Sequence, residues 1–304
     1  MKLKDLLITL LVILVWGLNF VVIRLTMNAS MPPMLLVTLR YALIALPLLP
    51  FVKRPPVPLR HLAAYGLALG TVHQGLLFLG IKAGMGAGLS SLVLQTQVFF
   101  TFIMAAVFLK ERARPEQLGG MALAAIGLYI IATATEQSAN PLAFLLIIAS
   151  AMMWAVATMF SKAASNRAHG PVDPLAFMVW AAAFPPLPTL ALSYVIDGPH
   201  AIAMAMTHLN WSLAAGIAFI TYGSTLFGFM VWNRLIARYG AGYVTQFSLL
   251  VPVVGMTSAA IVLHEAITLV KALAALLVLA GLALSMFGGR VITRFSETTA
   301  PRGA

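Results

Sequence analysis

The chain has 304 residues, of which 61% are hydrophobic and only 9% are charged, and its mean hydropathy is +0.97. Soluble domains carry about 25% charged residues, so this composition excludes an ordinary soluble protein and indicates an integral membrane protein. The formal charge of +11 does not indicate nucleic-acid binding, because the basic residues lie in loops, as the positive-inside bias requires. The chain has no cysteine, which excludes disulfides and thiolate metal sites.

Apolar segments separated by polar or proline-rich loops predict ten membrane-spanning helices. In chain order, the predicted helices are residues 5–26, 33–52, 62–82, 87–110, 117–135, 141–162, 172–196, 211–236, 241–263 and 268–287. The first apolar run is too long for a secretory signal and lacks a clear cleavage site, so we expect it to be retained. Residues 290–304 lack apolar periodicity and are expected to form a flexible tail.

Two sets of matching residues indicate an internal duplication. Gly86-Ala87-Gly88 recurs as Gly240-Ala241-Gly242, 154 positions later, and Glu111 recurs as Glu265 at the same spacing. Trp16-Gly17 corresponds to Trp154-Ala155 at a spacing of 138. The spacings predict one repeat over residues 1–138, a second over 139–289 and a cytoplasmic tail over 290–304. Because each repeat has five helices, an odd number, the repeats must insert in opposite directions, as in many secondary transporters.

Lysine and arginine predict the orientation of the helices. If the N-terminus is cytoplasmic, the inner loops collect most basic residues, including Lys53, Arg54 and Arg112, whereas the outer side keeps few, such as Lys82 and Lys271. We therefore expect both termini in the cytoplasm of a bacterial inner membrane protein.

Polar residues near the middle of six helices are the main functional signal. A buried amide or imidazole in lipid costs several kcal/mol unless it finds a partner, so these groups should face the bundle interior or a wet cavity. The candidate substrate-binding residues are Asn19, His73, Gln95, Gln97, Trp154, Thr158, Tyr222 and Gln246. The alternative is that such groups only hold helices together through hydrogen bonds. Under this alternative, Trp154 only packs against neighbouring helices, and His73 is a neutral, hydrogen-bonded imidazole.

Three further features carry expectations about the helices. Arg40 lies inside the second helix, about two turns from its outer end, so we expect its guanidinium to snorkel outward, or alternatively to bind an anion in the cavity. Pro252, inside the ninth helix, should leave a main-chain carbonyl unpaired. The fifth and tenth helices are apolar and rich in small residues, which predicts a peripheral packing pair and a candidate homodimer face.

Several motifs together resemble a known family. They are WGLNFVVIR at residues 16–24, MPPML at 31–35, LRYAL at 39–43, GLSSLVLQTQ at 88–97 and LLVPVVG at 249–255. The chain resembles the EamA family of the drug/metabolite transporter superfamily, most of all its O-acetylserine/cysteine exporter branch. This resemblance implies an all-α membrane protein of ten helices in two inverted five-helix repeats, with a central cavity, that exports small metabolites from the bacterial inner membrane.

The main hypothesis is thus an exporter of small amino acids or related metabolites that works by alternating access, with lipid and a small-molecule substrate as its partners. A multidrug or cation exporter would require acidic residues in the cavity, and no acidic residue lies deep in a predicted helix. An intramembrane enzyme is a weaker alternative, based on Gly86-x-Gly88-x-Ser90 with His264 as base. The scattered acidic residues predict no metal site and no cofactor. A structural membrane protein would not need amides at membrane depth.

Overall fold

The computed structural model describes residues 1–109, 115–134 and 140–299, and the regular secondary structure throughout these residues is helical. Eight helices are long and apolar enough to cross a membrane, and two shorter apolar helices complete a set of ten. The set is α1 Leu3–Asn28, α2 Pro33–Leu48, α3 Leu59–Lys82, α4 Ala87–Phe108, α5 Pro115–Ala134, α6 Pro141–Asn166, α7 Pro174–Ile196, α8 Trp211–Tyr239, α9 Phe247–Leu263 and α10 Leu269–Thr299. The predicted ten-helix membrane fold is confirmed. Glu111 lies outside the described residues.

Three of the differences between the structure and the predicted helices change the architecture of the second repeat. Helix α7 consists of two pieces, Pro174–Ala181 and Pro186–Ile196, because consecutive prolines cannot continue the first piece. The loop after α7 contains a short helix, Pro199–Thr207. Helix α10 continues to Thr299, so its predicted end at residue 287 is wrong, and residues 290–299 are helical where we expected a flexible tail. The polar residues of 290–299 end the apolar span, but they do not end the helix, because none of them is a proline.

Interruptions recur at corresponding positions of the two repeats. Helix α3 widens into π-helical turns at Leu67–His73, and α8 does so at Phe219–Phe227. Helix α4 tightens into a 3-10 turn at Leu94–Thr96, and a 3-10 segment at Thr245–Leu249 leads into α9. These segments overlap at the spacing of 154 that relates the two glycine motifs. The two repeats therefore share their irregular backbone as well as their sequence pattern, as expected of a two-repeat transporter fold.

The helices pack into two compact units, each of which combines segments of both repeats. The first, called the core unit below, comprises Met1–Thr101 and residues 140–265. The second comprises residues 102–109, 115–134 and 266–299. These units do not coincide with the repeats expected from the sequence, which are units of duplication and not of packing. The repeat boundaries at residues 138 and 289 stay a prediction.

In the second unit α5 and α10 pack closely against each other, as the sequence predicts. A Cβ atom added at Gly281 would lie 2.4 Å from the carbonyl oxygen of Gly120, and one added at Gly120 would lie 2.3 Å from the carbonyl oxygen of Gly281. Only glycine allows two backbones to come this close. These glycines serve a contact within one chain, and the homodimer face stays a prediction.

In the core unit α1 is the central helix. It packs against α9, the first half of α4 and the whole of α8. Its contact with α9 depends on Gly17, since a Cβ there would lie 2.4 Å from a methyl group of Val254. Helix α3 packs along α6, and the second half of α7 packs along α2. The π-helical and 3-10 segments of the core unit thus lie within a bundle of closely packed helices.

Candidate functional site

The side chain of Gln95 bonds a main-chain oxygen that a proline has released. Pro252 has no N–H group, so the Ser248 carbonyl four residues earlier loses its usual α-helical donor. Gln95 Nε2, on α4, donates to that oxygen at 3.1 Å. A main-chain N–H at the end of the 3-10 segment also donates to this oxygen, so the carbonyl that we expected to be unpaired is bonded. The Gln95 hydrogen bond ties the interrupted segment of one repeat to that of the other.

Tyr222 makes the same kind of contact on α2. Pro47 lies inside α2 and removes the donor for the carbonyl of Leu43. The hydroxyl of Tyr222, in the π-helical segment of α8, donates to this oxygen at 3.0 Å. The Tyr222 side chain is partly exposed. Two of the candidate site residues thus donate to main-chain oxygens whose usual α-helical donor is replaced by a proline.

The two π-helical segments also accept hydrogen bonds from neighbouring helices. Trp16 Nε1 on α1 donates to the carbonyl of Ser224 at 3.0 Å. Ser150 Oγ on α6 donates to the carbonyl of His73 at 2.8 Å. Each donor comes from the opposite repeat, α1 to α8 and α6 to α3. These bonds satisfy irregular backbone that lipid could not satisfy.

The imidazole of His73 is fixed on α6. It is buried, and its Nδ1 lies 2.9 Å from both the carbonyl oxygen and the hydroxyl of Ser150. Its ring meets the edge of Trp154 at a centroid distance of 5.1 Å. This agrees with the alternative of a hydrogen-bonded histidine that holds two helices together.

An aromatic cluster of His73, Trp154, Phe229 and Trp16 joins four helices of the core unit. Trp154 stacks on Phe229 at 6.1 Å, and Trp16 packs against Phe229 at 5.4 Å between ring centroids. The three large rings are only partly buried. They form an apolar surface beside polar groups, which is common in small-molecule sites. Phe229 did not stand out in the sequence, because a phenylalanine in a membrane helix carries no signal of its own.

Arg40 does not snorkel, and that expectation is wrong. Its side chain is only 3% exposed. Nε donates to Thr225 Oγ1 at 2.7 Å, and Nη1 donates to Gln74 Oε1 at 3.3 Å. Because α8 and α3 present these acceptors inside the bundle, the guanidinium turns inward although it lies close to a helix end. Thr225 lies 154 positions after Thr71, which is the spacing of the repeat. This correspondence is a sequence signal that could have indicated Thr225 as a functional residue.

A small cavity lies beside this arginine cluster, which we define as Arg40, Gln74 and Thr225. Its volume is about 20 Å³, which is space for one water molecule. Helices α2, α3, α7 and α8 line it, and Gln74, Thr225, Phe229 and Tyr65 are among the lining residues. The cavity therefore adjoins both the arginine cluster and the aromatic cluster.

The remaining candidate residues differ in their environment. Asn19 is buried and its Oδ1 has no hydrogen-bond partner among the described residues, and the same holds for the buried Oε1 of Gln97. Thr158 donates to the carbonyl of Trp154 in its own helix at 3.0 Å. Gln246 lies in the 3-10 segment before α9, but its side chain lies outside the described part of the chain.

The glycine motif suggested as part of a nucleophile site has a different role. Backbone N–H groups of Ala87 and Gly88 donate to the two carboxylate oxygens of Glu265 at 2.7 and 3.2 Å. A Cβ added at Gly86 would lie 2.8 Å from Glu265 Oε2. The glycines thus give a carboxylate access to the N-terminus of α4, where a negative charge is favourable. No cluster of potential metal ligands occurs in the described residues.

Comparisons with known proteins agree with this architecture. The chain is 40% identical over 293 residues to a probable amino-acid metabolite efflux pump of Salmonella typhimurium, a match that covers 96% of this chain and 97% of that protein. It is 37% identical over 292 residues to a protein of the same description from Escherichia coli K12, covering 95% and 97%. A probable terminal-alkyne amino-acid exporter of Streptantibioticus cattleyicolor is 27% identical over 215 residues, covering 70% and 69%.

A solved crystal structure with 18% identity has a TM-score of 0.62 and covers 96% of this chain and 99% of its own, which shows a shared fold. The model of the EamA-like transporter family matches residues 3–133 and 141–287. This is a family of transporters and not of enzymes, which confirms the interpretation as a transporter. The chain is a multi-pass membrane protein and belongs to the EamA-like transporter family.

Proposed function

We propose that the protein exports small amino acids or related metabolites, similar to cysteine and O-acetylserine, across the bacterial inner membrane, with both termini in the cytoplasm. The names of the relatives support this proposal, since two are probable amino-acid metabolite efflux pumps and a third is a probable amino-acid exporter. The composition of the core unit supports it as well, since its polar groups are mostly neutral amides and hydroxyls. Such groups suit a zwitterion better than a lipophilic cation.

The observation that carries the proposal is the pair of unpaired amide oxygens on α1 and α4. Asn19 Oδ1 and Gln97 Oε1 are buried and lack hydrogen-bond partners among the described residues. An unsatisfied buried acceptor costs about 1–3 kcal/mol, so it is retained only where a ligand can satisfy it or where function requires it. Oxygen acceptors of this kind suit the ammonium group of an amino acid. Their helices pack against each other in the core unit.

The other candidate residues take supporting roles in this proposal. Trp154 and His73 shape the apolar side of the site, and Thr158 and Gln246 lie on the helices that flank it. Gln95 and Tyr222 hold the interrupted helices through the oxygens released by Pro252 and Pro47. In alternating access the paired interruptions of the two repeats are the points at which the helices bend, because their main-chain bonds depend on side chains that can detach.

The direct test is efflux of radiolabelled amino acids from proteoliposomes that contain the purified protein, with and without a pH gradient. We expect efflux of small amino acids above that of empty liposomes, and competition by unlabelled O-acetylserine or cysteine. Efflux of lipophilic cations alone would contradict the proposal and support a multidrug exporter. An effect of the pH gradient would identify protons as the coupling ion.

Gln97→Leu tests the proposed acceptor. We expect it to lower efflux by about tenfold or more, because a hydrogen bond to a charged ammonium is worth about 1.5–3 kcal/mol. Its melting temperature should not fall, since the leucine removes a buried oxygen that has no partner. Thr101→Val is the matched control one turn further along α4, where Oγ1 donates to the carbonyl of Gln97. Normal efflux by Gln97→Leu would remove this residue from the site.

A further inference from the structure

The guanidinium of Arg40 is a buried charge with neutral partners. Its hydrogen bonds among the described residues go to the Thr225 hydroxyl and to the Gln74 amide oxygen. A guanidinium is planar and has five N–H donors, so it can bind a carboxylate through two parallel hydrogen bonds. A buried charge without a counter-ion is costly, so its retention indicates a ligand of opposite charge or a compensating role.

None of the described carboxylates of the core unit pairs with Arg40. The described acidic residues of the core unit are all engaged elsewhere. Asp5 pairs with Arg238, Asp197 pairs with Lys82, Asp173 caps the N-terminus of α7 and Glu265 caps that of α4. Among the described residues of the core unit, a structural salt bridge therefore does not explain Arg40, and a bound ligand is the counter-ion that its position favours.

The surroundings of Arg40 suit an exchangeable ligand. Its two partners come from α3 of the first repeat and α8 of the second, so the charge lies where the repeats meet. Both partners line the cavity of about 20 Å³, together with Gly66, Gly70, Ala181 and Ala182. These small residues bring α3 and α7 into close contact, since a Cβ at Gly66 would lie 2.2 Å from the Ala181 carbonyl oxygen. A separation of α3 from α7 would enlarge the cavity next to the arginine.

We propose that Arg40 binds the carboxylate of the exported substrate, so that the site selects compounds with a free carboxylate. This inference rests on the proposed function, and it adds a substrate requirement that the amide acceptors alone do not impose. Thr225 and Gln74 hold the guanidinium in place from both repeats. The cavity, which has room for a single water, is the contracted form of the site, and substrate enters when α3 and α7 separate.

The first experiment compares three forms of one substrate in wild-type proteoliposomes. An amino acid that the protein exports is tested against its methyl ester and against the amine formed by its decarboxylation, as competitors of labelled efflux. We expect the ester and the amine to compete about 10- to 100-fold more weakly, since a charge-assisted hydrogen bond is worth about 1.5–3 kcal/mol and 1.4 kcal/mol is a factor of ten. Equal competition by all three would overturn the proposal.

The second experiment replaces the arginine. Arg40→Met should lower amino-acid efflux at least about tenfold and abolish the rise in melting temperature that substrate causes in the wild type. Without substrate its melting temperature should stay the same or rise, because an apolar side chain of similar volume replaces an uncompensated buried charge. The Thr225 hydroxyl stays bonded in this variant, since its Oγ1 also donates to the Ile220 carbonyl at 2.8 Å. Arg40→Lys keeps the positive charge but loses the bidentate geometry of the guanidinium, so it should retain weak efflux.

Arg24→Met is the matched control. Arg24 lies on α1 in the same core unit, and its guanidinium donates to the main-chain oxygen of Ile81. This variant should keep both substrate-induced stabilisation and discrimination against the ester. A lower melting temperature of Arg40→Met together with unchanged selectivity would show that Arg40 is purely structural and would overturn the proposal. A wild-type protein that exports no amino acid would instead contradict the proposed function.

Discussion

The core unit and the α5–α10 pair are held together by different chemistry. In the pair, glycines bring two apolar helices into backbone contact, and the Ser285 hydroxyl adds a long hydrogen bond of 3.4 Å to the Gln117 carbonyl. In the core unit, side chains from one helix bond main-chain oxygens of another at four places, three in interrupted segments and one on α2, where Pro47 removes the usual donor. Packing that relies mainly on apolar backbone contact suits a fixed contact, because such a contact has few bonds that can detach and re-form elsewhere.

In the proposed alternating access, this difference separates helices that need only stay together from helices that move. An apolar helix pair in lipid gains its stability from close van der Waals contact, which is lost steeply with distance. A polar bond to a released carbonyl can be exchanged for another donor or for water during a conformational change. The core unit also contains the amide oxygens without partners among the described residues and the buried arginine, so the polar groups proposed to bind substrate and those that hold helices occur in the same unit.

The largest effect is expected where the glycine contact is broken. Gly281→Leu places a Cβ 2.4 Å from the Gly120 carbonyl oxygen and 2.8 Å from the Ala124 amide nitrogen, so the helices must separate. Overpacking costs about 1–3 kcal/mol or more, and backbone atoms cannot yield as side chains do. We expect a clear fall in melting temperature in detergent. Gly119→Leu is the control, since a Cβ there lies 3.6 Å from the nearest atom, a methyl group of Leu284.

The next effect tests the oxygen released by Pro252. Gln95→Leu removes the side-chain donor to this oxygen, and losing one intramolecular hydrogen bond costs about 0.5–1.5 kcal/mol. In a Pro252→Ala background a backbone N–H is available again for the Ser248 oxygen, so the same substitution should cost much less. A double-mutant cycle in thermal or denaturant unfolding measures the coupling. Additive losses in the two variants would contradict the role that the structure assigns to Gln95.

Much of the fold could be predicted from the sequence, because apolar length and the spacing of Gly86 and Gly240 report directly on helices and on duplication. The sequence indicates the helix interruptions only in part. Pro252 indicates which oxygen is released, but the donor, Gln95, lies 153 positions away along the chain, and only the folded structure brings the two together. Polarity alone could not separate Gln95, which holds a helix, from Gln97, whose amide oxygen has no partner among the described residues.

Arg40 shows the same limit of sequence analysis, since its partners also lie far away along the chain. The distance from Arg40 to the end of its helix suggests snorkelling. The sequence gives this distance, but it does not show the hydrogen-bond acceptors that α3 and α8 present to the guanidinium. The sequence places the end of α10 at residue 287, twelve residues before its end in the structure, because hydropathy reports on membrane crossing, while helix continuation depends on local backbone preference. Contacts that join distant segments, such as that of Tyr222 with α2, require the folded structure.

A smaller effect is expected at the carboxylate that caps α4. Glu265→Gln keeps one oxygen near the Ala87 and Gly88 N–H groups but removes the charge. The favourable interaction of a negative charge with a helix N-terminus is worth about 0.3–1 kcal/mol, so the variant should melt slightly earlier. The loss should shrink as salt is raised, since salt screens this interaction. A melting temperature that is unchanged at low salt would show that the cap adds nothing to stability.

The smallest effect is expected for Tyr222→Phe, which removes the donor to the oxygen that Pro47 releases on α2. The cost should be about 0.6 kcal/mol, the average for a hydrogen bond between membrane helices, because Tyr222 is 41% exposed and other groups can replace its hydroxyl. Pro47→Ala restores a backbone donor, so in that background the substitution should have no effect on unfolding. Efflux that falls equally in both backgrounds would instead place the Tyr222 hydroxyl against the substrate, since restoring the helix bond on α2 would not compensate for a lost ligand contact.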